Sequence, residues 1–382
     1  MFLLFKKSMN ERKRVLLITP NFNGRQSWMR CAVQTASNLS KHFNVTILTT
    51  NTEQQADYEE SESIKIYRVK SKLLPDPLNL SVPNVFEFWR LLKELKADII
   101  IINKTWFFTS LIASIYYRMK GIKYYVQLDT IVGKIWFGTS KLMNVAMWIY
   151  ARTFNRFILS GAKKVICYHK GIEPVMKEWN LNYEIISQGV DVKKFSEARP
   201  SEDILKFKNG RFCFLYVGRL DDIKRWQQYK ECCKYVHSLL KDKVCFVWVL
   251  GGKHPEKRLA LQDEMKNYNT KVYGFRSDVA EVMKACDMLV LPSKCEGLND
   301  VLLEAQASGL CCLASNVGGN PTLIQDWHNG FLFNNFTWLK SKMILAPPLE
   351  GYVRKRARNA QETIQQHDNS IIIKRLEKCL NT

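Results

Sequence analysis

The sequence has few of the features that metal sites and membrane spans require. Among its 382 residues the eleven cysteines never form a C-x-x-C spacing, and the six histidines do not cluster with them. A zinc site is therefore not expected. No apolar run approaches the roughly 18 to 20 residues of a spanning helix. These absences favour ordinary globular domains that do not cross a membrane.

Acidic residues are scarce relative to basic ones. The chain carries 57 lysines and arginines against 36 aspartates and glutamates, a formal net charge of +21. A surplus of this size draws a protein toward a polyanion: nucleic acid, an anionic bilayer or a phosphorylated substrate. The basic residues are spread along the chain and form no nucleic-acid recognition motif, so we expect no nucleic-acid partner.

The N-terminus and the cysteines indicate a location. Residues 1–14 place a few apolar side chains ahead of the charges, the reverse of the order in a signal peptide. Cys213, Cys245 and Cys311 lie in apolar runs, which is typical of reduced, buried cysteines. We therefore expect a cytoplasmic protein that is soluble or peripheral on the inner face of the membrane.

Short apolar runs alternate with helical stretches along the chain. Candidate strands are 14–19, 44–49, 64–69, 98–102, 123–128, 164–168, 183–186, 212–217, 244–250, 271–274, 288–291 and 311–314. Candidate helices of the first half are 26–40, 84–96, 107–120, 141–160 and 171–179. Apolar strands separated by helices indicate parallel sheets covered on both faces. The sequence predicts an α/β protein with two Rossmann-like, doubly wound domains facing across a cleft.

The length and a change of composition divide the chain. A chain of 382 residues exceeds the usual size of one core. We expect a first domain over residues 1–190, a second over 191–350 and a long, basic final helix over 351–382. The hinge is expected near Gln188 and Asp191, followed by the polar stretch 196–210.

The most informative segment is 291–333, which reads as strand, acidic loop, helix, strand and glycine-rich turn. Glu296 lies in the loop, and Glu304 lies about one turn into the helix. Side chains on a helix lean toward its N-terminus, so both carboxylates are expected at the same mouth.

The start of that helix predicts an anion site. Asn299 or Asp300 can cap it with a side-chain oxygen, leaving the amides of Val301 and Leu302 facing forward. Forward-facing amides at a helix N-terminus bind phosphate. A phosphate cradle beside two carboxylates suits a sugar nucleotide.

This segment resembles the signature of the family 4 retaining glycosyltransferases (glycosyl transferases group 1), S-x-x-E-G-x6-E-A-x-A-x-G and then G-G-x-P-E. The residues in register are Ser293, Glu296, Gly297, Glu304, Ala305, Ala307, Gly309, Gly318, Gly319 and Pro321. Two positions depart from the family pattern. Thr322 replaces the glutamate of G-G-x-P-E, and Leu310 replaces the proline that follows A-x-G in the family. The resemblance implies the two-domain GT-B architecture, with the final helix crossing back onto the first domain.

A second block supports the resemblance. The apolar run 212–217 is followed at once by Gly218, Arg219 and, after a short loop, Lys224. The family carries G-R-L and a lysine here, which implies that Arg219 and Lys224 neutralise the diphosphate. Arginine forks onto phosphate oxygens, while lysine supplies a point charge. Arg225 stands where the family often has glycine, so it either adds a cation or crowds the loop.

The first domain offers weaker matches. Asn23 and Gly24 follow the first strand, where the family has a glycine-rich loop near phosphate and acceptor. A dinucleotide fingerprint is absent. Asp129 stands where many members have histidine, and it is a candidate for contacting the transferred sugar or the acceptor hydroxyl. His169, just past a strand, is a similar candidate.

The resemblance also implies a mechanism and a set of donor contacts. It implies transfer from a nucleotide sugar, UDP-sugar favoured over GDP-sugar, with retention, to a saccharide or lipid-linked acceptor. No metal or other cofactor is expected, because Arg219, Lys224 and backbone amides stabilise the leaving diphosphate. Glu296 would hold sugar hydroxyls, and Glu304 the ribose. Further donor contacts are expected from Gly218, Gly297, Leu298, Asn299, Val301 and Leu302.

Residues 134–164 interleave tryptophan and phenylalanine with lysine and arginine. This pattern suits a helix lying on anionic lipid. A core helix with a solvated basic face explains the same residues equally well, and only the net charge favours the membrane surface.

Two other functions remain open at this stage. A nucleotide-sugar epimerase uses the same two-domain fold and needs no acceptor. A basic nucleic-acid-binding protein would account for the charge, and salt-sensitive, sequence-independent binding would reveal it.

Overall fold

The computed structural model describes residues 12–22, 30–52, 55–61, 64–74, 80–138, 140–252 and 255–381. Over these residues the strands assemble into two sheets, one in each half of the chain. The predicted pair of Rossmann-like, doubly wound domains is confirmed, and each half brings the carboxyl ends of its strands to one edge.

The first domain has the following strands: β1 (Arg14–Asn21), β2 (Asn44–Asn51), β3 (Tyr58–Ser61), β4 (Ile64–Leu73), β5 (Ser81–Pro83), β6 (Ile99–Asn103), β7 (Tyr124–Leu128), β8 (Ala162–Cys167) and β9 (Tyr183–Ile185). Its helices are α1 (Arg30–Leu39), α2 (Val85–Glu94), α3 (Phe108–Met119), α4 (Lys141–Tyr150), α5 (Arg156–Ser160) and α6 (Glu173–Glu178). A π turn (Ala151–Asn155) joins α4 to α5. The strand order is β3-β4-β2-β1-β6-β7-β8-β9, with β5 paired to β4.

The helices α7 (Val192–Ser196) and α8 (Glu202–Lys208) lead into the second domain. Its strands are β10 (Phe212–Arg219), β11 (Val244–Gly251), β12 (Thr270–Tyr273), β13 (Met288–Leu291), β14 (Cys311–Ser315) and β15 (Phe331–Phe333). Its helices are α9 (Trp226–Leu240), α10 (Pro255–Met265), α11 (Val279–Ala285), α12 (Asp300–Ala307), α13 (Asn320–Leu323), α14 (Phe336–Leu345) and α15 (Glu350–Thr363). The all-parallel order β12-β11-β10-β13-β14-β15 reverses direction between β10 and β13, where such sheets bind ligands.

Three strands were not predicted. All four residues of β3 are exposed, so no apolar run marks this strand. The strands β5 and β15 have three residues each, too few to show a periodic pattern. Both β3 and β5 pair antiparallel with β4, which makes the first sheet mixed at that edge rather than wholly parallel.

The prediction of a single final helix over residues 351–382 is wrong. The chain forms α15, a 3-10 turn (Ile364–His367) and then α16 (Asn369–Asn381). The first of these helices packs on the second domain through Val353 and Ala357. Only α16 crosses back, burying Ile372 and Leu376 against the first sheet. The apolar spacing is similar in both helices, so the sequence did not reveal the turn between them.

The hinge consists of two crossing segments, 186–191 and 364–369. The Val190 amide donates to the His367 carbonyl at 2.9 Å, and the Asn369 amide donates to the Val190 carbonyl at 3.0 Å. Gln34 of α1 donates to the carbonyl of Gly189 at 2.5 Å and to Asn369 Oδ1 at 2.6 Å. The crossing therefore ties both connections to the first domain.

None of the helices in the described ranges is long and apolar enough to cross a membrane.

We expect acidic pH to weaken the hinge through His367, whose Nδ1 lies 2.9 Å from Ser187 Oγ. Burial, reinforced by the positive charge of Arg375, lowers the pKa of His367 from 6.5 to about 4. The unfolded state therefore binds the proton first. The stability contribution is complete above about pH 6.5, is lost as the pH falls toward about 4, and amounts to roughly 3 kcal/mol.

The thermal midpoint of the parent should fall more steeply between about pH 6.5 and 4.5 than that of His367→Gln, which cannot titrate. Parallel curves for the two proteins would contradict this assignment.

Candidate active site

The carboxyl edges of the two sheets face each other and touch. A Cβ placed on Gly297, in the loop after β13, would lie only 2.9 Å from Asp129 Oδ2, which follows β7. Nearby, Cys295 Sγ lies 3.7 Å from the carbonyl oxygen of Phe137. The structure thus brings Asp129 of the first domain against the loop that carries Glu296.

Glu296 is held by two partners from its own domain. Lys224 Nζ lies 2.6 Å from Glu296 Oε1, and the Ser293 hydroxyl donates to the same oxygen. Both side chains of the ion pair are mostly buried, with 21% of Lys224 and 11% of Glu296 exposed. Lys224, predicted to meet phosphate, therefore also fixes the direction of the Glu296 carboxylate.

The Glu296 loop is shaped by glycines after β14. Gly318 has φ +55°, and any Cβ there would overlap the carbonyl oxygen of Glu296. A Cβ on Gly319 would lie 2.6 Å from the carbonyl oxygen of Gly297, whose contact with the Gly319 amide is a 3.0 Å hydrogen bond. The glycine pair therefore gives the loop its position.

Arg219 ends β10 beside this loop, at the switch point of the second sheet. Its guanidinium lies 2.9 Å from Asp221 Oδ2 and is about half exposed. Gly252 lies close to it, since an added Cβ would be in van der Waals contact with Arg219 Cγ at 3.8 Å. Gly218 accommodates the ring of Tyr216, whose hydroxyl donates to the Arg219 carbonyl at 2.8 Å.

Arg225 does not join these cations. It adopts a left-handed conformation at φ 48°, and its guanidinium lies 5.6 Å from the ring centroid of Phe336 on α14. Of these three basic residues, Arg219 and Lys224 lie at the carboxyl edge of β10.

The start of α12 differs from the expectation. Asn299 caps the helix, but its Oδ1 accepts the Val301 amide at 3.0 Å, and the Asn299 carbonyl accepts the Leu302 amide at 3.1 Å. The cap thus engages the two amides that were expected to face forward, and their contact with a phosphate stays a prediction. Leu298 is buried in the core of the second domain, so only its backbone is available to a ligand.

Glu304 lies on α12 and is buried, with 9% of its surface exposed. The carbonyl of the same residue accepts the Ser308 amide at 2.9 Å. Glu304 is therefore a mostly buried residue of α12, and its contact with the ribose stays a prediction.

His169 holds the first-domain edge together. Its Nδ1 accepts the Gly171 amide at 3.1 Å, so Nε2 carries the proton and donates to the Asp129 carbonyl at 2.7 Å. Burial lowers its pKa, which keeps the ring neutral. The prediction that His169 contacts sugar or acceptor is wrong, because backbone groups occupy both nitrogens.

Lys104 is a site residue that the sequence did not reveal. It follows β6 with φ 66°, and its Nζ lies 3.1 and 3.3 Å from the two carboxylate oxygens of Asp129. Burial opposes its charge most strongly, but the attraction of and hydrogen bond to Asp129, together with Cys31 and Asp300, outweigh burial and raise the pKa of Lys104. The signal was its position two residues after a run of four isoleucines, at the same sheet edge as Asp129.

Some predicted residues cannot be placed. Asn23 and Gly24 lie outside the described residues. Within the described ranges, no group of three or more histidine, cysteine, aspartate or glutamate side chains is arranged to hold a metal ion.

Comparisons with known families cover both halves of the chain. Residues 30–194 match the family described as Glycosyltransferase Family 4, and residues 199–361 match Glycosyl transferases group 1. An Escherichia coli relative, UDP-Gal:alpha-D-GlcNAc-diphosphoundecaprenol alpha-1,3-galactosyltransferase, is 28% identical over 312 residues, covering 77% of this chain and 76% of the relative.

Solved structures share the fold. Sucrose-phosphate synthase from Thermosynechococcus elongatus superposes with a TM-score of 0.75 at 17% identity, covering 96% of this chain and 98% of that one. Alr3699/HepE from Anabaena, in complex with UDP and glucose, gives a TM-score of 0.74 at 17% identity, covering 97% and 99%. At these identities the likeness establishes the GT-B architecture.

We expect Gly318→Ala to lower nucleotide-sugar turnover at least about tenfold more than Gly309→Ala, because displacing a site loop by 1 Å is costly. Both glycines have positive φ and share the backbone strain, but a Cβ on Gly309 would lie 3.3 Å from the flexible Gln361 side chain. Turnover and thermal midpoint should be measured together. Equal turnover in the two variants would show that the Glu296 loop does not depend on Gly318.

Proposed function

Because the chain is a glycosyltransferase that belongs to the glycosyl transferases group 1 family, we propose that it moves a sugar from a UDP-sugar to a lipid-linked saccharide. The proposed transfer retains the anomeric configuration and requires no metal. The observation that carries this proposal is the Glu296 carboxylate, held by Lys224 and Ser293 in a loop whose Gly297 lies against Asp129 of the first domain.

Arg219 and Lys224 are the proposed diphosphate contacts. Each is paired with a carboxylate of its own domain, Asp221 and Glu296, so a diphosphate would join existing ion pairs rather than meet bare cations. Two fixed positive charges at the leaving group stabilise the charge that develops there. This arrangement supports departure of the diphosphate without a metal ion.

Retention is proposed because the carboxylates at the cleft are already engaged. Glu296 is paired with Lys224, and Asp129 is paired with Lys104, so each is suited to hold hydroxyls rather than to attack carbon. The acceptor oxygen would attack the anomeric carbon on the face that the diphosphate leaves. The bond from that carbon to the phosphate oxygen breaks, and this oxygen takes the acceptor proton.

The names of related proteins support the choice of substrates. The Escherichia coli relative acts with UDP-Gal on a diphosphoundecaprenol-linked sugar, and the HepE structure contains UDP and glucose. We therefore propose a UDP-sugar donor, with the ribose held by Glu304, and a saccharide carried on a lipid diphosphate as acceptor.

A lipid-linked acceptor requires access to a membrane, and α4, the π turn and α5 provide a suitable surface. Residues 147, 151, 155, 158 and 159 of this segment point inward. Its outward side chains include an exposed apolar face formed by Leu142, Val145, Trp148, Ile149, Phe154 and Phe157. The Arg152 guanidinium lies 3.9 Å from the Trp148 ring centroid. Cations beside exposed aromatic groups suit an anionic bilayer, so we propose attachment to the cytoplasmic face.

The donor site is tested by thermal stability against UDP, GDP, ADP and CMP, with and without EDTA. UDP should stabilise the protein, and EDTA should leave the shift unchanged. Arg219→Ala should weaken UDP binding about ten- to hundredfold, since it removes a charge-assisted contact. Glu304→Ala should also weaken it. Glu296→Ala should reduce turnover while leaving UDP stabilisation intact.

Arg354→Ala is the matched control, because Arg354 is also ion-paired, with Glu350 at 2.5 Å, but lies on α15. A flat nucleotide panel would overturn the donor assignment. Equal UDP affinity in Arg219→Ala and Arg354→Ala would overturn the role of Arg219.

The membrane surface is tested by sedimentation with vesicles containing phosphatidylglycerol. Replacing Leu142 and Ile149 together with glutamate should weaken binding at least about tenfold, since it removes buried apolar area and adds like charge. Leu259→Glu is the control, an exposed leucine on α10 of the other domain. Unchanged sedimentation of the double variant would exclude this face.

A further inference from the structure

The Lys104–Asp129 pair is the least explained charged group in the cleft. Lys104 Nζ lies 3.1 Å from Asp129 Oδ2, and the exposed fractions of the Lys104 and Asp129 side chains are 15% and 20%. It lies on the first domain but reaches Gly297, the residue next to Glu296. Since Glu296 is the proposed sugar contact, Asp129 closes the same compartment from the opposite side.

The pair has a charged neighbour besides its own members, the carboxylate of Asp300. Asp300 lies close enough to interact with both Lys104 and Cys31. Burial raises the pKa of the Cys31 thiol to about 12, so it contributes no charge at neutral pH. His169 is neutral and bound to the Asp129 backbone. Lys104 is therefore the cation that faces Asp129 among the described residues, and Asp129 already holds it.

An ionised carboxylate only accepts hydrogen bonds. A sugar hydroxyl or amide N–H can donate to Asp129, whereas the carboxylate of a sugar acid cannot. A second carboxylate placed against Asp129 would also be repelled by Asp129 itself and by the nearby charge of Asp300, in a partly buried site where screening is weak.

We propose that the Lys104–Asp129 pair selects donor sugars that present a neutral hydrogen-bond donor and rejects hexuronates. This inference rests on the proposed function. Asp129 makes the contact, and Lys104 is a positioning residue that fixes the carboxylate with both oxygens. The selection is encoded by two residues together: without Asp129, the same compartment would expose the Lys104 cation.

Binding of UDP, UDP-glucose and UDP-glucuronate to the full chain tests the proposal, with donor hydrolysis as a second readout. The two sugars differ only at C6, a hydroxymethyl group in one and a carboxylate in the other. The parent should bind the glucuronate more than about tenfold more weakly than the glucose donor.

The variant Asp129→Ala should reduce or reverse the preference for UDP-glucose over UDP-glucuronate, because it releases Lys104 to bind the sugar carboxylate. Adding Lys104→Met to Asp129→Ala should abolish this gain. Asp129→Asn serves if the alanine variant does not fold, since it keeps the shape, removes the charge and should narrow the ratio in the same direction. Lys104→Arg should keep the discrimination of the parent.

The outcomes separate the two levels of the proposal. If UDP does not bind to the parent, the proposed function fails and the inference fails with it. If UDP binds to every variant with similar affinity but removing Asp129 leaves the glucose-to-glucuronate ratio unchanged, only the inference is overturned.

Discussion

The site exists because two sheet edges approach so closely that side chains are excluded between them. Gly297 has no room for a Cβ beside Asp129, and Gly318 has none beside the Glu296 carbonyl. The first contact limits how closely the two domains approach, and the second fixes the Glu296 loop within its own domain. The ion pairs with Lys104 and Lys224 then fix each carboxylate from its own domain. The chemistry proposed for the cleft depends on this order: backbone approach first, charge pairing second.

Most of the fold could be predicted from local patterns. Strands such as β6 and β10 are apolar runs bounded by polar residues, and burial on both faces makes such runs easy to recognise. The exposed strand β3 carries no such signal. The break between α15 and α16 was also not predicted, because the two helices bury similar apolar faces against different domains. Sequence spacing reports that a face is buried, but it does not report which domain buries it.

The site was predictable where a motif is contiguous and obscure where it is assembled across the chain. Glu296, Gly297 and Gly318 lie in one segment, and the structure brings them together. Lys104 is 25 residues from Asp129, and only the parallel order of β6 and β7 makes them neighbours. The sequence also did not reveal that the Asn299 cap accepts the Val301 and Leu302 amides, which it was expected to leave available.

The contact between Asp129 and Gly297 has a consequence for how this chain can change over evolutionary time. The two positions belong to different domains and are 168 residues apart, yet they share one volume. A side chain can appear at position 297 only after position 129 has become smaller or has turned away. The two positions are therefore expected to covary among homologues, and the order of substitutions is constrained: the first-domain residue must change before the second-domain glycine.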